Sequence, residues 1–225
     1  MRTIAFVTQK GGSGKSTLAS CIAVAAQEAG ERVFVIDMDP LASLINWATA
    51  RGEKDIAVEA VPTAKLKPVL AALEKKGVTL VIIDTPGADD VAMMAAVKAA
   101  DLCIVPARPN AFDLWASEKT RKAVKTAGRD YAFLLNQCPP AQQSARVETG
   151  VKTLEALGGL LTPLVSARVD FQEAARQGWG VTEIAPSGAA ADEIRSLWTS
   201  IKRRLNKAVA QRKVAAAGKS RKAAA

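Results

Sequence analysis

The chain has no histidine and a single tyrosine among its 225 residues, and aromatic residues of all kinds make up only 4% of it. Without histidine there is neither a Cys-His zinc site nor a Cys-His nucleophile pair. Cysteine is scarce too. Cys21, Cys103 and Cys138 form no Cys-x-x-Cys pair and read as reduced thiols in or near the core of a cytoplasmic protein. Long apolar runs are missing: stretches such as 80–83 and 102–105 fall far short of the roughly 20 residues of a membrane span. Met1-Arg2-Thr3 leads into a strand pattern with no apolar signal region. Acidic residues are absent from Ile201 onward, where nine of the 31 lysines and arginines lie, so residues 1–200 set 22 basic against all 22 acidic residues. The C-terminal segment therefore holds the whole net charge of +9.

What is present is apolar residue, 49% of the chain, enough for one good-sized core. Short runs of Val, Ile and Leu alternate with longer helical patterns, as in a parallel sheet covered by helices on both faces. Runs at 4–8, 33–36, 78–83, 102–105 and 131–135 lack polar alternation, as strands buried on both faces should. Weaker strands are expected at 56–61 and 160–165, and the last helix at 189–209. The expected fold is α/β, a single domain over 1–210 with a mostly parallel twisted sheet of about seven to eight strands. Residues 211–225, basic and Ala-rich without an apolar anchor, are expected to be a disordered tail.

Directly after the first strand comes Lys10-Gly11-Gly12-Ser13-Gly14-Lys15-Ser16-Thr17, opening the first helix. Glycines let backbone N–H groups curl around phosphate oxygens, and the helix N-terminus adds a favourable dipole. Lys15 then reaches the β and γ phosphates, Ser16 ligates Mg²⁺ through its hydroxyl and Thr17 stands by the α phosphate. The generic pattern G-x-x-x-x-G-K-[ST] is not met, because Gln9 occupies the place of its first glycine. Two acidic strand ends follow. Val35-Ile36-Asp37-Met38-Asp39-Pro40 puts two carboxylates at the carboxyl edge of the sheet, where open α/β folds bind ligands, although such a turn is also an ordinary capping segment. Val81-Ile82-Ile83-Asp84-Thr85-Pro86-Gly87 reads as a Walker B aspartate holding Mg²⁺ through water, with a loop behind it that senses the γ phosphate.

The string from Lys10 to Thr17 resembles the deviant Walker A motif, K-G-G-x-G-K-[ST], of the ParA/MinD family of P-loop ATPases. The Asp37 to Pro40 and Asp84 to Gly87 segments are similar to that family's other nucleotide motifs. The resemblance runs from Ile4 to about Leu205 and is nearest to the small plasmid-type ParA partition proteins, which begin, as here, without an N-terminal DNA-binding extension. Leu41 departs from it, standing where the family usually has glutamine. The resemblance implies a P-loop fold, ATP and Mg²⁺ as cofactors, and an ATP-dependent sandwich homodimer in which Lys10 touches the partner's nucleotide. It implies that Asp39 positions the attacking water, that Asp37 lies near the metal, and that Asn136, beside Pro139 and Pro140, contacts adenine; the same Asn136 segment also reads as a simple turn. The implied activity is slow ATP hydrolysis stimulated by a ParB-like or other centromere-binding adaptor. The implied role is partition of plasmid or chromosome by a nucleoid-associated protein that grips DNA without sequence preference.

The basic end fits DNA binding. Ile201, Leu205 and Val209 continue the apolar spacing of the last helix while Lys202, Arg203, Arg204 and Lys207 point elsewhere, a cationic rim for phosphates. A solvated tail and a membrane surface are the rival readings. Against the second, the last 16 residues lack Phe, Trp, Leu and Ile. A MinD-like membrane-associated or protein-cluster-positioning ATPase is the alternative function. An iron-protein reductase and a tyrosine kinase of the same superfamily fit poorly, because the cysteines do not cluster and Tyr131 is the sole tyrosine.

Overall fold

A computed structural model describes residues 1–52, 55–87, 89–139 and 144–223, with the side chains of Lys213 and of residues 215–223 outside that description. Its strands are β1 (Arg2–Phe6), β2 (Val33–Asp37), β3 (Ala57–Ala60), β4 (Leu80–Asp84), β5 (Leu102–Ala107) and β6 (Asp130–Leu135). They form one sheet in the order β3-β2-β4-β1-β5-β6, with every pair parallel. The helices are α1 (Lys15–Glu28), α2 (Ser43–Arg51), α3 (Leu66–Lys75), α4 (Asp90–Ala99), α5 (Ala111–Thr126), α6 (Ala145–Leu157), α7 (Asp170–Gln177), α8 (Val181–Ile184) and α9 (Ala189–Ala223).

Successive strand residues point to opposite faces, and both faces here are apolar, so the central strands read as unbroken hydrophobic runs. Ile4, Phe6, Val35, Ile82 and Ile104 pack under α1, α7, α8 and α9. Ala5, Ile36, Ile83, Val105 and Phe133 pack against α3, α4, α5 and α6. α1 is buried along nearly all of its length from Leu18 to Ala26 because α9 covers its outer side.

Six strands are formed among the described residues, fewer than the seven or eight expected. The segment 160–165 makes only isolated contacts: Leu161 N–H donates to Phe133 O and Val165 N–H to Leu135 O. Pro163 between them has no N–H to continue the ladder. The last helix runs to Ala223, past its expected end at 209, through a stretch rich in Ala, Lys and Arg, which are strong helix formers. No described helix is long and apolar enough to cross a membrane.

Candidate nucleotide-binding site

Because all six strands are parallel, their carboxyl ends share one edge of the sheet. β1 delivers the glycine loop to the middle of that edge, and α1 starts from it at Lys15. Gly14 caps α1 in the left-handed region, at φ 91°. A methyl group there would meet Asn136 Nδ2 at 2.3 Å, so the position has no room for a side chain. Asn136 is buried and donates through Nδ2 to Ser13 O at 2.8 Å; Gln137 donates to Gly12 O at 3.2 Å. The loop is thus pinned from behind by the end of β6, while the first N–H groups of α1 have no side-chain cap and remain open to an anion.

Below the loop, Ser16 Oγ donates to Asp84 Oδ2 at 2.5 Å. Asp84 closes β4, paired in register with Phe6 on one side and Asp37 on the other. It is fully buried, and its Oδ1 has no hydrogen-bond donor among the described residues. Burial pushes its carboxyl up to about 7; Asp37 and Asp39 push the same way, against Ser16 and Lys15. A hydroxyl and a carboxylate with an unused oxygen are the hard oxygen ligands that Mg²⁺ takes beside nucleotide phosphates. The residues present therefore fit that ion. Lys15 is buried and turns its Nζ to Lys10 O at 3.4 Å; burial lowers its pKa, and Asp84 and Asp39 oppose that shift.

Asp37 lies beside Asp84 at the end of the neighbouring strand. Its Oδ1 accepts from the Asp39 N–H at 3.0 Å and its Oδ2 from the N–H groups of Leu44 and Ile45 at 2.9 and 3.3 Å. It thereby shapes the turn after β2 and caps α2. Asp39, half-buried at the mouth of the cleft, accepts from the Leu41 N–H at 3.0 Å. From the other side the loop after β4 presses on the glycines: a methyl group on Gly87 would lie 3.2 Å from Gly11 Cα and N. Lys10 is half-buried, and its Nζ has no acceptor among the described residues.

The cleft between these loops and α2 has a volume of about 1020 Å³ and takes in Lys10, Lys15, Ser16, Thr17 and Asp39. A second cavity of about 570 Å³ opens beyond Gly14 and Thr17, walled by Asn136, Gln137, Ser166 and Phe171. Asn136 was expected at the base, whereas no motif signalled the Ser166 to Phe171 part of this wall. It is braced by Glu193 of α9, which accepts from the Ser166 N–H at 3.1 Å, from its hydroxyl at 2.9 Å and from Arg168 Nη2 at 2.8 Å. Pro140 lies outside the described residues, and Pro139 is half-buried.

The basic residues proposed for DNA sit at the opposite edge of the sheet. Lys202 pairs with Glu31 at 3.0 Å, just before β2, and Arg204 pairs with Asp130 at 3.2 Å, at the start of β6. Arg212 also pairs with Asp101, just before β5. Arg203 and Lys207 are exposed and make no ion pair among the described residues. The side chains of Lys213, Lys219, Arg221 and Lys222 lie outside the description.

The chain is similar to known proteins in sequence and in fold. The profile of the CobQ/CobB/MinD/ParA nucleotide binding domain matches residues 4–209. Maintenance of carboxysome distribution protein A of Halothiobacillus neapolitanus is 30% identical over 209 residues, covering 88% of this chain and 95% of that one. The protein of the same name from Gloeobacter kilaueensis is 34% identical over 165 residues, covering 69% and 75%. Among solved structures, the septum site-determining protein MinD of Pyrococcus horikoshii OT3, complexed with Mg-ADP, superposes with a TM-score of 0.72 at 20% identity, covering 92% of this chain and 98% of that one.

Proposed function

Since this chain belongs to the CobQ/CobB/MinD/ParA nucleotide-binding family, we propose that it is a Mg²⁺-dependent ATPase that dimerises face to face across its phosphate loops and grips DNA without sequence preference while ATP is bound. A partner adaptor stimulates hydrolysis and so releases the grip. The observation that carries the reading is the buried Asp84 carboxylate, tied to Ser16 by one oxygen and left with the other unpaired directly under a glycine loop. In this reading Ser16 and Asp84 hold Mg²⁺, Lys15 and the loop N–H groups bind the phosphates, and the cavity beside Asn136 takes the base. The bound ion neutralises charge on the phosphates. Asp39 faces the attacking water and Asp37 holds the turn that presents it.

Dimerisation is supported by the edge on which the cleft lies. Lys10 stands there without an acceptor among the described residues, and Leu41, Val91, Phe112 and Trp115 are exposed on the segments that follow β2, β4 and β5. A cation and exposed apolar side chains on segments that leave the same edge of the sheet suit contact with a second copy.

The cargo admits two readings. Partition of DNA follows from the motif resemblance. Positioning of a protein assembly is favoured by the relatives whose names assign them to carboxysome distribution. Both share the DNA grip, so the first experiment is binding to random-sequence duplex DNA with ATP, ADP or no nucleotide, at low and moderate salt. It compares the full chain with one truncated after Asn206. The expected result is ATP-dependent, salt-sensitive binding that truncation weakens. Absence of binding in every state overturns the DNA grip and leaves the nucleotide site standing.

A further inference from the structure

One side chain at the cleft is held rigidly and yet left incomplete. Gln9 stands where the generic phosphate loop has its first glycine, and it lines the cleft with Lys10, Lys15 and Asp39. Its Nε2 donates to Asp90 Oδ1 at 2.5 Å. An ionised carboxylate only accepts, so this bond fixes which end of the amide is nitrogen and turns the carbonyl oxygen away from Asp90. Asp90 is itself fixed in the first turn of α4, whose N-cap Asp89 accepts from the Val91 and Ala92 N–H groups at 2.8 and 3.0 Å. Gln9 Oε1 is buried and has no donor among the described residues. A buried acceptor held in one orientation without a donor is a place where a ligand's donor is expected.

We propose that Gln9 Oε1 accepts a hydrogen bond from the water that attacks the terminal phosphate, which makes Gln9 a catalytic residue and Asp90 the positioning residue that aims its amide. The inference rests on the ATPase reading above. Elimination supports it. The phosphate oxygens of ATP are acceptors and offer nothing to a carbonyl. The base, in that reading, lies beyond Gly14 beside Asn136, and the Lys15 ammonium is turned to Lys10 O. Two donors remain, the Lys10 ammonium, which that reading sends to the partner's nucleotide, and water. In the step itself the water oxygen bonds to phosphorus and the bond from phosphorus to the ADP oxygen breaks with its electron pair. The water proton passes to a phosphate oxygen or to solvent. The amide takes no proton; it orients the nucleophile, as glutamine does in other phosphoryl-transfer sites.

The test uses the full chain with Gln9→Met, which keeps length but has no amide oxygen, and Asp90→Asn, which leaves Gln9 intact and lets its amide turn. Turnover of Mg-ATP is measured beside the affinities for Mg-ADP and for Mg-ADP with aluminium fluoride, which mimics the transferring phosphoryl group. For Gln9→Met the expected result is a fall in kcat of about 10- to 100-fold with KM and Mg-ADP affinity within about twofold, and preferential loss of the aluminium fluoride complex. Asp90→Asn is expected to lose about three- to tenfold in kcat, and it carries the test if Gln9→Met fails to fold. Unchanged kcat in either folded variant overturns the proposal. Equal loss of Mg-ADP affinity and kcat also overturns it, since that marks Gln9 as a structural part of the loop. Failure of the ATPase reading is distinguished by the wild-type chain, which would then bind no Mg-ADP, and the role of Gln9 falls with it.

Discussion

Ser16 and Asp84, 68 positions apart in the chain, share a hydrogen bond of 2.5 Å at the bottom of the glycine loop. The bond joins the first turn of α1 to the end of β4, so the nucleotide motifs meet through these two side chains. In the proposed reading Ser16 Oγ would give up this contact to ligate Mg²⁺, and Asp84 would hold the ion through water. Ser16→Ala is therefore expected to weaken Mg-ATP binding by about 10- to 100-fold and to affect Mg²⁺-free nucleotide much less. Titration of a fluorescent ATP analogue with and without Mg²⁺ reads the difference; equal losses in both conditions contradict the assignment of Ser16 to the metal.

Asn136 gives a second test, because its Nδ2 is tied to the loop. It donates to Ser13 O, and its Nδ2 fills the space a Gly14 side chain would need. Asn136→Ala is expected to lower affinity for ATP and GTP by similar factors, about tenfold, since it loosens the phosphate loop rather than removing a base contact. A loss confined to ATP would instead mark Asn136 as an adenine contact. Gly14→Ala is expected to cost more, about 2–4 kcal/mol of stability, from the left-handed backbone and the overlap with Asn136 together.

The elements around this site were legible in the sequence to the degree that local chemistry decides them. Central strands such as residues 80–84 are apolar on both faces and cannot be mistaken for half-exposed ones. The segment 160–165 has similar composition, but Pro163 supplies no N–H in its middle and the ladder stops there, which composition does not register. The glycine loop and Asp84 were readable because phosphate binding fixes both residue type and spacing. Glu193 was not, since it braces the Ser166–Arg168 wall from 25 and more residues away, a contact that no local pattern encodes. The pairs holding α9 to the amino edge of the sheet were likewise hidden: a run of lysine and arginine looks the same whether its partners are solvent or carboxylates.

One of those carboxylates sets a pH limit. Glu31 accepts from Arg2, from the Thr79 hydroxyl and from Lys202. Burial alone would raise its pKa, and these three partners outweigh it, taking the carboxyl from the ordinary 4.5 to about 2. A depressed carboxylate pKa contributes stability above the unfolded value and loses it as pH falls through the folded one. The contribution of Glu31 is thus full near neutrality and fades between about pH 4.5 and 2. Glu31→Gln is expected to destabilise the protein by about 1–3 kcal/mol at pH 7, the range allowing for the part-exposed Lys202 and Arg2, with the gap closing at pH 2. Urea unfolding at pH 7, 4 and 2 checks the trend, and a gap that stays constant across this range excludes the linkage.

The same ion pairs divide the basic residues of α9 into two kinds. Lys202 and Arg204 are committed to Glu31 and Asp130, whereas Arg203 and Lys207 are exposed and have no such partners among the described residues. A phosphate contact by Lys202 would first require breaking its pair with a carboxylate that is itself buried, while Arg203 gives up only hydration. If α9 grips DNA, Arg203→Ala and Lys207→Ala should each weaken binding across all sequences and lower the slope of log affinity against log salt by about one per contact. Lys202→Ala should mainly lower stability, by leaving Glu31 short of a partner, and change the DNA slope little. The check is a salt series on random duplex DNA with each variant, alongside its urea midpoint. A Lys202→Ala variant with normal stability and a reduced slope would mean that DNA displaces Glu31, and that the acidic edge of the sheet competes with DNA for this helix.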